Sequence, residues 1–246
     1  MITNAIALTL GAMPAVYATT YYASTTTFLF AGSALPSGLA VTEQTIGDPD
    51  GPYKQHKFVP ENAYVSEEYL NLLVDGGQQD SDVVYSGQVH TTFTVASARV
   101  HTHAILSDEA GVCNGAFYYA DDDNEFDIEW LSNSSSQANI DAGFGRALFY
   151  TNQPGGTDLN SAYGAAPSDS TTDVHIYRID WDASSTTFYL DGVEQAKLTR
   201  NVPQTTTGQW YWNNWSNGNQ GWSSGPPVND AVYKIKKIVM HYNPGT

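Results

Sequence analysis

The segment Asn124-Glu125-Phe126-Asp127-Ile128-Glu129-Trp130-Leu131 constrains the fold most, because acids at 125, 127 and 129 alternate with Phe126, Ile128 and Trp130. A helix would scatter both sets around its circumference, whereas a strand puts each set on its own face. The apolar face must be buried, which fixes the register, so all three carboxylates emerge on the opposite face of the sheet. The same period of two recurs in Val89-His90-Thr91-Thr92-Phe93-Thr94-Val95 and over 174–181, where His175, Tyr177, Ile179 and Trp181 share a face. No long run of 3.6-residue periodicity follows residue 18. Residues 186–190 and 193–198 flank Asp191-Gly192, the pair suited to the positive φ angles of a type I′ hairpin turn. Further strands are expected over 98–106, 115–119, 147–151, 209–215 and 232–242, and the Gly, Ser, Ala and Asp of 153–172 read as a loop. This spacing predicts an all-β sandwich of two stacked antiparallel sheets.

Charge narrows the partners. Ten Lys plus Arg against 26 Asp plus Glu give a net charge of −16, which repels phosphate backbones and anionic membranes. Nucleic acid and membrane are therefore excluded as expected partners, and an uncharged polysaccharide, bound by a monomer, suits the field. Only 15% of residues are charged while 16 are Tyr, a composition that fits twisted sheet with surfaces for stacking. The single cysteine, Cys113, cannot form an intrachain disulfide and reads as an inert small residue. Neither His101-Thr102-His103 nor Asp121-Asp122-Asp123 has the offsets of a zinc or EF-type calcium site, so no metal or cofactor is expected.

Residues 1–18 have an apolar core of Ala5, Ile6, Ala7, Leu8 and Leu10 before Val16-Tyr17-Ala18. They read as a cleaved secretory signal, with an apolar strand as the alternative, and 19–246 read as one domain. Of the sequons at Asn133 and Asn214, only Asn133 falls in an exposed loop and is a glycosylation candidate; Asn214 is expected to face the sheet interior.

Neighbouring same-face acids on a strand are about 6.6 Å apart at Cα, so three ionised groups repel and at least one pKa should rise. Retaining glycoside hydrolysis is built on such a pair, one carboxylate that attacks the sugar and one protonated acid that serves the leaving oxygen. Glu125 and Glu129 are the candidates, with Asp127 placed to share a proton with the nucleophile or orient it. The bland alternative is a solvated acidic face. Asn213 and Trp215 share a strand face and can enter the same cleft, Trp215 stacking on a pyranose and Asn213 bonding a hydroxyl. Tyr150, Tyr119 and Trp222, in the loop Gly221-Trp222-Ser223-Ser224-Gly225, are further sugar-binding candidates, while Trp130 and Trp181 belong to the core.

Glu125-Phe126-Asp127-Ile128-Glu129 resembles the catalytic E-x-D-x-E strand of glycoside hydrolase family 16, a jelly-roll family of retaining β-glucanases and transglycosidases. The resemblance continues through His175-Ile176-Tyr177-Arg178-Ile179-Asp180-Trp181, Phe188-Tyr189-Leu190-Asp191-Gly192-Val193, Arg200-Asn201-Val202-Pro203 and Asn213-Asn214-Trp215-Ser216-Asn217-Gly218, in the family's order. Phe149-Tyr150-Thr151-Asn152-Gln153-Pro154 resembles its secreted fungal members. The resemblance implies a jelly roll with a concave substrate cleft, Glu125 as nucleophile, Asp127 as assisting carboxylate and Glu129 as acid/base. It implies a secreted endo-acting enzyme on β-glucan with 1,3 or mixed 1,3/1,4 linkages. A cell-wall glucan or chitin transglycosidase and a lectin-like binding module are the alternatives. The compact E-x-D-x-E spacing is similar to lichenases, xyloglucan enzymes and chitin–glucan crosslinkers, whereas laminarinase-like members insert one residue. The chain departs from lichenases in having no cation near Tyr85-Ser86-Gly87-Gln88 and Leu148 where a polar residue is expected, which bears on subsite preference.

Overall fold

The computed structural model describes residues 22–153 and 159–246. The expected signal at 1–18 lies outside the described residues. Two sheets stack face to face. The outer sheet runs, from one edge, through β15 (Val193–Leu198), β14 (Ser185–Leu190), β13 (His175–Asp182), β8 (Val95–Ile105), β17 (Ala231–Pro244), β6 (Tyr69–Val74) and β5 (Ala63–Ser66), with β1 (Ser24–Leu29) also paired to β17. The inner sheet runs through β12 (Asn160–Ala165), β11 (Ala147–Gln153), β10 (Asn124–Leu131), β9 (Cys113–Asp121), β16 (Gln209–Trp215), β7 (Val83–Thr91), β4 (Gln55–Phe58) and β3 (Gln44–Ile46), with β2 (Leu39–Val41) also on β7. The pairings are antiparallel except β4 on β7, which is parallel, so the inner sheet is mixed.

The core between the sheets is aromatic. Tyr118 stacks on Phe126 at 5.3 Å between centroids, and Trp181 reaches both from the outer sheet, at 4.4 and 5.3 Å. Phe126, Ile128 and Trp130 all point into this layer, as their alternation requires. Burying their indole and phenol groups demands partners: Trp130 Nε1 donates to Ser107 O, Trp181 Nε1 to Pro203 O and Tyr118 Oη to Thr205 O. Asn214 is buried as expected, its amide donating to the carbonyls of Leu72 and Ala231 and so tying the two sheets together.

The Asp191-Gly192 turn joins β14 and β15 with φ of 48° and 82°, the two positive values a type I′ turn needs. Two expectations are corrected. The run 89–95 is a corner, not one strand: β7 ends at Thr91, whose hydroxyl donates to Phe93 O, and β8 begins at Val95. The expected loop 153–172 contains β12, an edge strand of alternating half-buried and exposed residues whose polarity hid it. The short helix α1 (Gln137–Ala142) also lacked a sequence signal; Ser136 caps it, accepting from Asn139 N, and Gly143 ends it in the left-handed region.

Candidate active site

Cross-strand register builds the site. On the inner sheet's open face, Gln88, Asn213, Gly115, Glu129, Phe149 and Tyr163 lie in one row from β7 to β12. The next row holds His90, Tyr211, Phe117, Asp127 and Thr151, and the third Gln209, Tyr119, Glu125 and Gln153. Adjacent residues in a row are about 4.8 Å apart across the strands. The three acids therefore stand at the middle of a floor that rises into a cleft of about 450 Å³ on the β9, β16, β7 and β4 side.

Each acid has its own surroundings. Glu125 lies beside Tyr119, whose phenol donates to Asp122 Oδ1 at 2.8 Å and is itself pushed up to about 12, chiefly by that carboxylate. Asp127 is buried; Gln153 Nε2 donates to its Oδ2 at 2.6 Å, and its Oδ1 is buried with no hydrogen-bond partner among the described residues. Glu129 receives two donors on one oxygen: Cys113 Sγ at 3.0 Å and Trp222 Nε1 at 3.4 Å, both to Oε1.

Burial raises all three carboxyl pKa values and is the first cause at each. Glu125 is pushed up to about 8 by burial, then by the charges of Glu129 and Asp122. Asp127 is driven well above the carboxylate range by burial and by Glu129 and Glu125, against hydrogen bonds from Gln153 and Thr151. Glu129 is raised by burial against the bonds from Cys113 and Trp222. Like-charged neighbours and partial burial together predict a raised pKa at Glu129 beside an ionised Glu125. Burial raises Glu125 as well, and at Glu125 and Asp127 it is a larger cause than the repulsion between the acids.

Asn213 is buried beside the acids; its Nδ2 donates to Gln88 Oε1, and its Oδ1 is unpartnered among the described residues. Gly115, between Asn213 and Glu129 in the row, leaves that oxygen its place, because a Cβ at 115 would strike Asn213 Oδ1. Trp215 lines the cleft with His56 stacked on its ring at 4.9 Å and 26°. His56 had no distinguishing sequence context; burial lowers its pKa to about 4, so it sits neutral against the indole. Trp222 is held over Glu129 by the loop 217–224, whose Gln220 and Gly221 carbonyls accept from the first amides of α1. Tyr119 enters the cleft. Tyr150 does not, and its expected sugar contact is corrected: opposite Ile128 in the register, it points into the core, 2% exposed and 5.3 Å from Phe188. Its neighbours Phe149 and Thr151 take the open face. Asn133 is half-buried beside α1; its Oδ1 accepts from Ser135 N and its Nδ2 contacts Ser224 O at 3.5 Å. Among the described residues no group of three His, Cys, Asp or Glu is placed to hold a metal ion.

A second aromatic series leaves the acids on the other side. Trp222 and Phe149 are 4.8 Å apart between centroids, Phe149 and Tyr163 6.1 Å, and Tyr163 and Phe144 6.3 Å. Tyr163 and Phe144 are 53% and 50% exposed. Tyr163 stands on the open face of β12 and Phe144 in the bend between α1 and β11, so the series ends in an exposed aromatic pair.

An open β-sheet face with aligned carboxylates and flanking aromatic rings defines a sandwich protein with an open ligand cleft. The sequence matches glycosyl hydrolases family 16 over residues 54–230, and the chain belongs to that family. No curated protein matches the sequence. Among solved structures, Bacillus licheniformis β-glucanase superposes with a TM-score of 0.66 at 16% identity, covering 88% of this chain and 97% of that one. The catalytic domain of an endo-1,3-β-glucanase (laminarinase) from Thermotoga petrophila RKU-1 gives 0.67 at 15% identity, covering 90% and 97%. A Bacteroides ovatus family 16 protein from a mixed linkage glucan locus, solved with a G4G4G3G product, gives 0.63 at 13%, covering 82% and 94%. At these identities the likeness is one of fold, and it establishes the jelly roll.

Proposed function

We propose that the chain is a retaining endo-β-glucanase acting on 1,3 or mixed 1,3/1,4 linkages, secreted and working on neutral cell-wall or storage glucan. The observation that carries this reading is the placement of Glu125 and Glu129 on one open face, with Asp127 between them and aromatic rings on both sides. Family membership and glucanase neighbours of the same fold support it.

In this reading the Glu125 carboxylate attacks the anomeric carbon while Glu129 gives its proton to the departing glycosidic oxygen. A covalent glycosyl-enzyme forms. Glu129, now ionised, takes a proton from water as that water displaces Glu125 from the sugar. Positive charge developing at the anomeric carbon favours the ionised form of Glu125, and the proton on buried Asp127 can be shared with its departing charge. Sugars on the non-reducing side lie over Phe117, Tyr211 and Trp215, and the leaving chain lies over Phe149 and Tyr163.

The test is incubation with lichenan, laminarin and cereal β-glucan, following reducing ends and, by NMR, the anomer first released. Internal cleavage with a β-anomer is expected. Azide should rescue Glu129→Ala as a β-glycosyl azide, since departure of a good leaving group no longer needs the acid. No turnover on any of these glucans, or rescue seen only with Glu125→Ala, defeats the reading or reverses the two roles.

Transglycosylation is a second reading, favoured by one observation: the exposed Tyr163 and Phe144 extend the aromatic series beyond the first leaving-group position, where they can hold an acceptor chain. Labelled oligosaccharide acceptors distinguish it from hydrolysis.

A further inference from the structure

Cys113 is on β9, on the same face as Glu129 and diagonal to it, since Glu129 pairs with Gly115 and Leu131 with Cys113. Its side chain is fully buried among Leu131, Ala147 and Phe149, with Trp215 and Trp222 packed against the group. There a thiol is an ordinary filler, yet this one points at a carboxylate. Its S–H and the indole N–H of Trp222 converge on Oε1 of Glu129 at 3.0 and 3.4 Å, and the hydrogen bonds of the described residues reach no other oxygen of that group.

We propose that Cys113 is a positioning residue for Glu129: together with Trp222 it fixes Oε1, so that the transferable proton is carried on Oε2 toward the glycosidic oxygen. The inference rests on the reading of Glu129 as acid/base. A carboxylic acid whose two oxygens are equivalent places its proton on either, and half of those placements face the protein instead of the substrate. Two donors on one oxygen remove that ambiguity, because an oxygen already accepting two hydrogen bonds is the poorer place for a proton. The thiol is suited to the task because it is a donor that does not ionise: burial and the adjacent Glu129 charge both raise its pKa. It is also weak enough as a donor to leave Glu129 able to hold a proton.

Among the described residues the surrounding charges are few and like-signed. Asp127 and Glu125 face Glu129 from β10; Gly115 and Cys113 on β9, Trp222 in the loop and Phe149 on β11 bring no charge, and Asn213 and Trp215 on β16 and neutral His56 on β4 stand in the same cleft. Removing one donor to the ionised form should therefore raise the pKa of Glu129, with no Lys or Arg among the described cleft residues to compensate.

The experiment compares wild type with Cys113→Ala, Cys113→Ser and Trp222→Phe by pH profiles of kcat/KM on a polysaccharide and on an activated aryl β-glycoside, below each variant's melting temperature. Cys113→Ala and Trp222→Phe should each move the alkaline limb up by about one pH unit, the loss of one hydrogen bond to a charged acceptor. Cys113→Ala should lower kcat on polysaccharide about tenfold at an unchanged KM while sparing the glycosylation step on the aryl substrate, which needs no acid. Cys113→Ser, which keeps a donor, should return the limb toward wild type. A melting temperature that falls in Cys113→Ala with an unmoved limb reduces the residue to packing and overturns the proposal. Azide rescue of Glu129→Ala is the separate control: its failure removes the acid/base reading itself, whatever the Cys113 variants do.

Discussion

Glu125 carries a conflict between folding and chemistry. Its carboxyl, ordinarily near 4.5, is pushed up to about 8 in the folded protein, mainly by burial. A raised pKa means that the folded state binds the proton more tightly than the unfolded chain does. The stability this supplies is complete below the ordinary value and is lost as pH rises through the folded one. Thermal unfolding of the wild type should accordingly drop in midpoint by several degrees between about pH 5 and about pH 9, and Glu125→Gln, neutral throughout, should drop less and be the more stable protein at the alkaline end. Parallel curves for the two proteins would show that Glu125 is not a strained group. At Gly115 the conflict is one of volume. Alanine there meets Asn213 Oδ1, which is held in place through Gln88, so Gly115→Ala should displace Asn213 and lower kcat/KM about tenfold or more, with about 1–3 kcal/mol lost in denaturant unfolding from overpacking. Cys113 was illegible at this scale: a single thiol in a sequence carries no sign of the carboxylate that folding brings to it.

Strands differ in how much of themselves they declare. β10 declared both faces because Glu125, Asp127 and Glu129 alternate with the apolar Phe126, Ile128 and Trp130, and β14–β15 declared its turn because Asp191-Gly192 tolerates two positive φ angles. β12 declared nothing, since Asn160-Ser161-Ala162-Tyr163-Gly164-Ala165 is an edge strand with little to bury. The orientation of β11 was legible only through its partner: residues 147–153 are almost all buried, and pairing of Tyr150 with Ile128 instead of with an acid turns the phenol inward. That same register puts Phe149 on the open face directly opposite Glu129, and Tyr163 one strand further out. Tyr163→Ala should therefore raise KM for long glucans about fivefold or more and reduce transfer to added oligosaccharide acceptors, while hydrolysis of an aryl glycoside, which has no leaving chain, stays the same. An equal loss on both substrates would place the ring's role in folding of the edge instead.

The whole molecule has a net charge of −16, and the cleft is lined by Asp122, Glu125, Asp127 and Glu129 with no Lys or Arg among its described lining residues. Sequence composition foretold this field, because no arrangement of ten cations can neutralise 26 acids. A carboxymethylated glucan should be cleaved about tenfold or more slowly than the neutral polymer at low salt, with the gap narrowing as salt screens the repulsion. A salt-independent gap would assign the difference to steric bulk. The sheet order also acts before the protein is complete. β17 pairs with β8, β6 and β1, so three strands of the outer sheet lack that partner until residues 231–244 are made. The ribosome adds 125 residues between the end of β8 and the start of β17, a wait of roughly 6 to 25 seconds at ordinary elongation rates. Through that interval the nascent chain exposes sticky backbone that the native protein hides, so its need for a chaperone falls during translation.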